Sequence, residues 1–69
     1  MYSTAEAARL ILQHMQEQCL LKFERRDLVM WMRTVHSSQC NDCISEEAID
    51  MLAAEGTVES LGDIIVLEN

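Results

Sequence analysis

The last third of the chain, residues 44–69, most narrowly limits what the protein can fold into. Its apolar residues first recur every three or four positions, as on one face of a helix, and later form short β-branched runs. Gly56 separates the two patterns, and glycine commonly ends a helix because it adopts positive φ without strain. The order predicts a short helix followed by a β-hairpin, whose strands, residues 57–61 and 63–67, flank a turn at Gly62.

The helix before this hairpin, helix three, has a marked N-terminal end. Ser45 is a residue type that caps helices, and Glu46 and Glu47 place negative charge in the first turn, where the helix dipole favours it. Ile44 and Ile49 have the spacing of a hydrophobic staple across such a cap. The sequence therefore predicts that helix three begins after Ser45 and ends before the glycine.

Two further helices are predicted upstream. Ser3 and Glu6 have the spacing of a capping box, and the apolar stripe behind them predicts helix one over residues 4–19. Asp27 suits the first turn of helix two, which we expect to end at residue 34 or 35.

The connections between these helices differ in character. Residues 20–23 are short and apolar, and they fit either a continuation of helix one or a brief first strand against which the hairpin pairs. Residues 36–43 are polar and predict a loop. Since 69 residues make one small domain at most, we expect a single domain over residues 1–69 that is mainly α with a small β component.

This order of elements resembles a winged helix-turn-helix domain over nearly the whole chain. The passage that carries the resemblance, from recognition helix to wing, contains Ile49, Leu52, Glu55, Gly56 and Val58. The resemblance implies a three-helix domain with a C-terminal β-hairpin, the wing, and a helix three that enters DNA in most such domains. A protein-binding member, at the C-terminus of the middle subunit of replication protein A, is similar in style, being short and acidic with a compact wing.

The charge pattern argues against DNA as the partner. The formal net charge is −7, and residues 34–69 hold eight acids with no Lys or Arg, whereas residues 1–33 hold all five cations against four acids. The outward positions of helix three carry carboxylates, which are Glu46, Glu47, Asp50 and Glu55. Because carboxylates repel phosphate, this half of the molecule favours a basic partner.

We therefore expect a non-catalytic protein–protein interaction module or a small regulatory protein, with the acidic helix three and the wing as its binding surface. Val29 and Met30 lie beside the main apolar stripe of helix two. If both are exposed near Trp31, they form an apolar surface for another protein or for a homodimer. The expected partner is a protein with a basic or apolar surface.

Two alternatives involve nucleic acid. A DNA-binding transcriptional regulator would use the cations around helix two, namely Lys22, Arg25, Arg26 and Arg33. Those cations otherwise form a solvated face paired with Glu24 and Asp27. An acidic DNA mimic would instead use the carboxylates of helix three to block a nucleic-acid-binding protein.

A third alternative is a metal or iron–sulfur sensor. Cys40 and Cys43 are separated by two residues, as in one half of many zinc and iron–sulfur sites, and His36 is near enough in sequence to join them. Such sites need four ligands. The competing interpretation is a reduced surface thiol at Cys40 with Cys43 and Cys19 partly buried, so we expect no cofactor.

Other function classes have little support in the sequence. There is no Gly-x-Ser-x-Gly elbow and no phosphate-binding glycine loop, and His14 fits a surface or boundary position, so we do not expect an enzyme. An odd number of cysteines favours a reducing cytoplasmic, intracellular compartment. No apolar run approaches the ~20 residues that span a bilayer. Met1, directly before the capping box, favours a complete small protein.

Overall fold

The computed structural model describes residues 1–68, and over that range the chain forms three helices and three strands. In chain order these are α1 (Thr4–Glu17), β1 (Lys22–Glu24), α2 (Arg25–Val35), α3 (Asp42–Ala54), β2 (Val58–Leu61) and β3 (Ile64–Leu67). The predicted class, mainly α with a small β component, is confirmed. Asn69, the last residue of the predicted domain, lies outside the described residues.

The start of α1 is the predicted capping box. The Ser3 hydroxyl accepts from the Glu6 amide at 3.1 Å, and the Glu6 carboxylate accepts from the Ser3 amide at 3.1 Å. The helix ends at Glu17, two residues before the predicted end. Cys19 then adopts a left-handed φ of 58°, which turns the chain away from the helix axis. Cys19 is consequently exposed, and the prediction that it is partly buried is wrong.

The short apolar segment after α1 leads into a strand. In β1, Phe23 lies opposite Ile65 of β3 in an antiparallel pair. Of the two structures that the sequence left open for this segment, the brief first strand is therefore confirmed. Helix α2 begins directly after β1, carries Asp27 in its first turn as predicted, and ends at Val35 as predicted.

The start of α3 differs from the prediction. Asn41, not Ser45, is the N-cap, and its side chain accepts from the Ile44 amide at 2.9 Å. Both residue types can cap, but the helix begins four residues earlier than expected and takes up the end of the predicted loop. Ser45 lies one turn inside and is buried, with its hydroxyl 3.3 Å from the Asn41 carbonyl oxygen. Ile44 is also inside the helix, so the predicted hydrophobic staple does not form.

The three strands form an antiparallel sheet in the order β1-β3-β2. The hairpin of β2 and β3 turns at Gly62, which has a φ of +65°, and its closing partners are Leu61 and Ile64. Side chains alternate between the two faces of the sheet, so the buried Ile65 and Val58 lie on the inner face while Ile64 points outward. Both strands start one residue later than predicted.

The core lies between the three helices and the inner face of the sheet. Its largest fully buried apolar side chains come from all three helices and β3, namely Ile11, Met15, Leu28, Met32, Ile49 and Ile65. The arrangement is compatible with a winged-helix-like fold. Over residues 1–68 no helix combines the length and the apolar character needed to cross a bilayer.

Candidate functional site

Arg25, the first residue of α2, links α2 to both α3 and the hairpin. Its guanidinium donates to the carboxylates of Glu46 at 2.5 Å and Asp50 at 2.7 Å, which lie four residues apart on α3. Its backbone N–H donates to the carbonyl of Asp63, in the hairpin turn, at 2.8 Å. A single residue thus holds the start of α2 against two elements that follow it in the chain.

The ion pairs of Arg25 differ from those that the sequence suggested. The expected partners Glu24 and Asp27 are its near neighbours, whereas the observed partners lie on α3. The side chain of Arg25 is only 20% exposed. Burial by itself lowers the pKa of Arg25, but the hydrogen bonds that Arg25 donates to Asp50 and Glu46 outweigh this effect and raise that pKa. The cation is therefore committed to the protein's own carboxylates.

The other three predicted DNA-contacting cations differ in their ion pairing. Arg33 pairs with Asp42, and this hydrogen bond raises the pKa of Arg33 and lowers that of Asp42. Arg26 lies 3.6 Å from Glu24 and is largely exposed, so this one pairing is as predicted. Lys22 forms no ion pair with any residue in the range 1–68. Two of the four cations are thus neutralised by residues of α3.

The four carboxylates predicted to face outward from helix three are all exposed. We call them the α3 acidic face, comprising Glu46, Glu47, Asp50 and Glu55. Glu46 and Asp50 are held by Arg25, whereas Glu47 and Glu55 form no ion pair within the described part of the chain. The unneutralised charge of this face therefore sits at Glu47 and at Glu55, the C-cap of the helix.

The outer face of the sheet adds an apolar strip that the sequence analysis did not identify. Leu61 and Ile64 are direct cross-strand partners and are 54% and 37% exposed. With the half-buried Val66 they line a shallow groove of about 580 Å³. The signal in the sequence was weak, because the run from Ile64 to Leu67 is apolar throughout and masks the alternation of exposed and buried positions.

The predicted Val29–Met30 surface does not form. Met30 is 49% exposed, but Val29 is 8% exposed and belongs to the core. Helix α2 packs against α3 and β1 together, so its buried face is broader than one stripe and includes Val29. Met30 is a single exposed methionine, which is common on protein surfaces.

The predicted metal ligands are not brought together. Cys40 is buried, with its sulfur 3.3 Å from the Ser45 hydroxyl, whereas Cys43 is exposed on the first turn of α3. The expected burial of these two thiols is therefore reversed. His36 is turned toward Tyr2, whose hydroxyl lies 3.0 Å from its Nδ1. Within residues 1–68 no group of three or more His, Cys, Asp or Glu side chains is placed to hold a metal ion.

An aromatic cluster joins α1 to the end of α2. His14 stacks on Trp31 with ring centroids 3.9 Å apart and planes 14° apart. His36 meets the rings of Trp31 and Tyr2 edge-on, each at 5.4 Å. Burial lowers the pKa of His14, and the charge of Glu17 opposes that shift. We therefore interpret this cluster as structural packing between the helices, in line with the boundary position expected for His14.

Comparisons of this chain with protein-family models, with curated proteins and with solved structures found no match. The functional argument is therefore built on the charge, exposure and hydrogen bonding described above. These features indicate α3 and the hairpin as the candidate binding surface, because unpaired carboxylates lie on α3 and exposed apolar side chains lie on the hairpin.

Proposed function

We propose that this chain is a non-catalytic interaction domain of winged-helix type that binds a basic surface of another protein through α3 and the hairpin. The observation that carries this proposal is the state of the charges around α3. Glu47 and Glu55 are exposed and unpaired within residues 1–68, and Arg25 is already shared between the other two carboxylates of this face, Glu46 and Asp50.

The winged-helix reading makes α3 the recognition helix and the hairpin the wing. Support comes from the pairing of β1 with β3 and from the position of α3 directly before the hairpin. In a DNA-binding member of that superfamily the outward face of this helix meets the major groove. Here each unpaired carboxylate would meet phosphate at a cost of about 1 kcal/mol for a 4 Å approach in water. A partner with Lys or Arg on its surface reverses the sign of that interaction.

The cations around α2 do not compensate for this cost. Arg25 and Arg33 can reach phosphate only by leaving carboxylates of α3, which exposes further negative charge. Lys22 and Arg26 remain, and two phosphate contacts give little of the electrostatic affinity that DNA-binding proteins draw from six to ten. Charge thus favours a protein partner over DNA as the ligand of this surface.

The test is an affinity capture from the native cell's lysate with and without nuclease, using the wild-type chain and two variants. The first variant, Glu47→Gln with Glu55→Gln, removes two charges that form no ion pair within residues 1–68. The control variant, Glu17→Gln with Asp27→Asn, removes the same number of charges outside the α3 acidic face. We expect a protein that resists nuclease, is lost with the first variant and is retained with the control.

Two results would contradict the proposal. If the captured material disappears on nuclease treatment, the ligand is nucleic acid. A protein that both variants retain equally would bind elsewhere on the molecule, and the α3 acidic face would then be only a solvated surface.

A further inference from the structure

We propose that the free edge of β2 takes up an extended, basic segment of the partner protein as a fourth strand of the sheet. This inference rests on the proposed function and makes it more specific. It names the edge that binds and the kind of chain that fits there.

The first observation is the hydrogen bonding of β2. In the part of the chain that the structure describes, β2 pairs only with β3. The Thr57 carbonyl accepts from the Glu68 amide at 3.1 Å, so Thr57 faces β3. Backbone groups along a strand alternate in direction, which also turns Glu59 toward β3. Val58 and Ser60 therefore direct their N–H and C=O groups away from β3. Because Val58 is only 2% exposed, the backbone groups of the exposed Ser60 are the ones that an added strand can reach.

The second observation is open space along that edge. A groove of about 510 Å³ runs beside β2, and it is lined by Ala53, Gly56, Val58, Glu59, Ser60 and Glu68. The glycine that ends α3 has no side chain, and an atom added at its Cβ position would meet nothing within 4 Å. An added backbone can thus approach Gly56, at the start of this edge, without displacing part of this chain.

The third observation is the charge around the groove. Glu59 and Glu68 line it, and Glu55 lies at the C-cap of α3, where the helix dipole adds partial negative charge. The sequence has no Lys or Arg after Arg33. The occupant must therefore bring positive charge, because an acidic or neutral segment would leave these carboxylates uncompensated.

The register of β2 specifies a pattern for the incoming strand. Residues directly opposed across two strands share a face, so the residues opposite Leu61 and Glu59 lie on the outer face of the sheet. An antiparallel segment would therefore place an apolar residue opposite Leu61, a small residue opposite Ser60, a basic residue opposite Glu59 and a small residue opposite Val58. The small positions lie on the inner side of the sheet, where α3 packs against β2, so small side chains fit there best.

A second copy of this chain fits the edge poorly. Antiparallel pairing of two β2 strands centred on Glu59 places two carboxylates directly opposite each other, which is destabilising. Each copy also carries a net charge of −7, so association works against long-range repulsion. The complementary occupant is a basic segment of a different protein.

The experiment is an NMR titration of the full chain with a twelve-residue probe peptide that repeats Leu-Ser-Lys-Ser. We expect the largest amide shifts at Ser60 and its neighbours in β2, with cross-strand contacts between peptide and β2 protons, and binding that weakens as salt is raised. Two peptide controls carry N-methyl groups. N-methylation at residues that pair with the β2 edge should abolish binding, and N-methylation at the alternate residues should preserve it.

Variants of the protein test the charge requirement. Glu59→Lys should weaken peptide binding by about tenfold, since one favourable cross-strand charge pair becomes a repulsive one. Glu17→Lys, which makes the same charge change on α1, away from both α3 and β2, should leave the affinity within about twofold. Thermal melts of both variants confirm that the fold is intact, and Glu59→Gln provides a milder change of the same kind if the reversal unfolds the hairpin.

The outcomes separate this inference from the proposed function. Absence of peptide binding at low salt, or shifts centred on α3 instead of β2, would overturn strand addition. The captured partner provides the second readout. If capture is lost with Glu47→Gln and Glu55→Gln but unaffected by Glu59→Lys, strand addition fails and the proposed function stands. If none of these changes affects capture, both fail.

Discussion

Replacing Arg25 with methionine tests whether this residue fastens α2 to α3. The substitution keeps an unbranched apolar stem but removes both ion pairs, to Glu46 and to Asp50. The bond from the residue-25 amide to the Asp63 carbonyl is a backbone contact and survives. Any loss of stability therefore reports on the guanidinium and its two partners.

The magnitude follows from the exposure of the three groups. Both carboxylates are largely exposed, and ion pairs between exposed groups are worth about 0.2–1 kcal/mol each. Two such pairs amount to about 0.4–2 kcal/mol, and burial of the guanidinium offsets part of this gain, so we expect a loss of about 1 kcal/mol in the free energy of unfolding. In a domain of this size that lowers the melting temperature by about 4–8 °C. The net stability of such a small core is only ~3–5 kcal/mol, so the variant should remain folded.

The assay is thermal unfolding followed by circular dichroism at low salt and at about 1 M salt, where charges beyond about 3 Å are screened. The matched control is Arg26→Met, because Arg26 is 81% exposed at its side chain and its carboxylate partner lies 3.6 Å away. We expect little change in the control and a salt-sensitive loss for Arg25→Met. Equal melting temperatures for the two variants at low salt, or a loss unchanged by salt, would refute this account.

Three further predictions concern other parts of the molecule. Cys19 and Cys43 should react with a thiol reagent in the native state, and Cys40 only after unfolding, because its thiol is buried. Burial lowers the pKa of His14, so the folded state favours the neutral ring, and the stability should fall as the pH drops through the unfolded pKa of about 6.5. Thermal melts between pH 8 and pH 5 should therefore show a smaller loss of stability for His14→Gln than for the wild type. Ser3→Ala should lower the free energy of unfolding by about 1 kcal/mol in urea denaturation, through loss of the α1 cap. Labelling of Cys40 in the native state would contradict the first prediction. A pH profile that His14→Gln leaves unchanged would contradict the second, and an unfolding midpoint that Ser3→Ala leaves unchanged would contradict the third.

Features that depend on local interactions were predictable from the sequence. The capping box of α1 involves residues three apart, and the end of α3 depends on a glycine that adopts positive φ. The hairpin turn depends on Gly62 in the same way. Each of these signals depends on residues within about four positions of one another, so it could be recognised without knowledge of the rest of the molecule.

Features decided by tertiary packing were not predictable in the same way. Asn41 and Ser45 are both good caps, and the choice between them is settled by the burial of Ser45 against the core. Val29 looks peripheral on a helical stripe, but two elements pack on α2 and bury it. Sequence periodicity predicts one buried face per helix, so it does not predict which residues are buried when a small domain packs a helix on two sides.

The ion pairs of Arg25 show the same limit for the site. Glu46 and Asp50 lie 21 and 25 residues away in the chain, whereas Glu24 and Asp27 lie within two. The start of α2 directly after β1 places the guanidinium beside α3, and no spacing rule could supply that geometry. Composition did identify the acidity of α3, but only the structure distinguishes its neutralised carboxylates from its unpaired ones.

The same pairing makes Arg25 informative about the ligand as well as the fold. Its removal leaves Glu46 and Asp50 without their cation, so the α3 acidic face gains net negative charge. If the partner is a basic protein, Arg25→Met should therefore bind it more tightly even though the domain is less stable. If the partner is DNA, the same change removes a cation and adds repulsion, so affinity should fall. Stability and affinity move in opposite directions only for a basic partner, and titration calorimetry with the captured partner, run below the melting temperature of the variant, decides between the two.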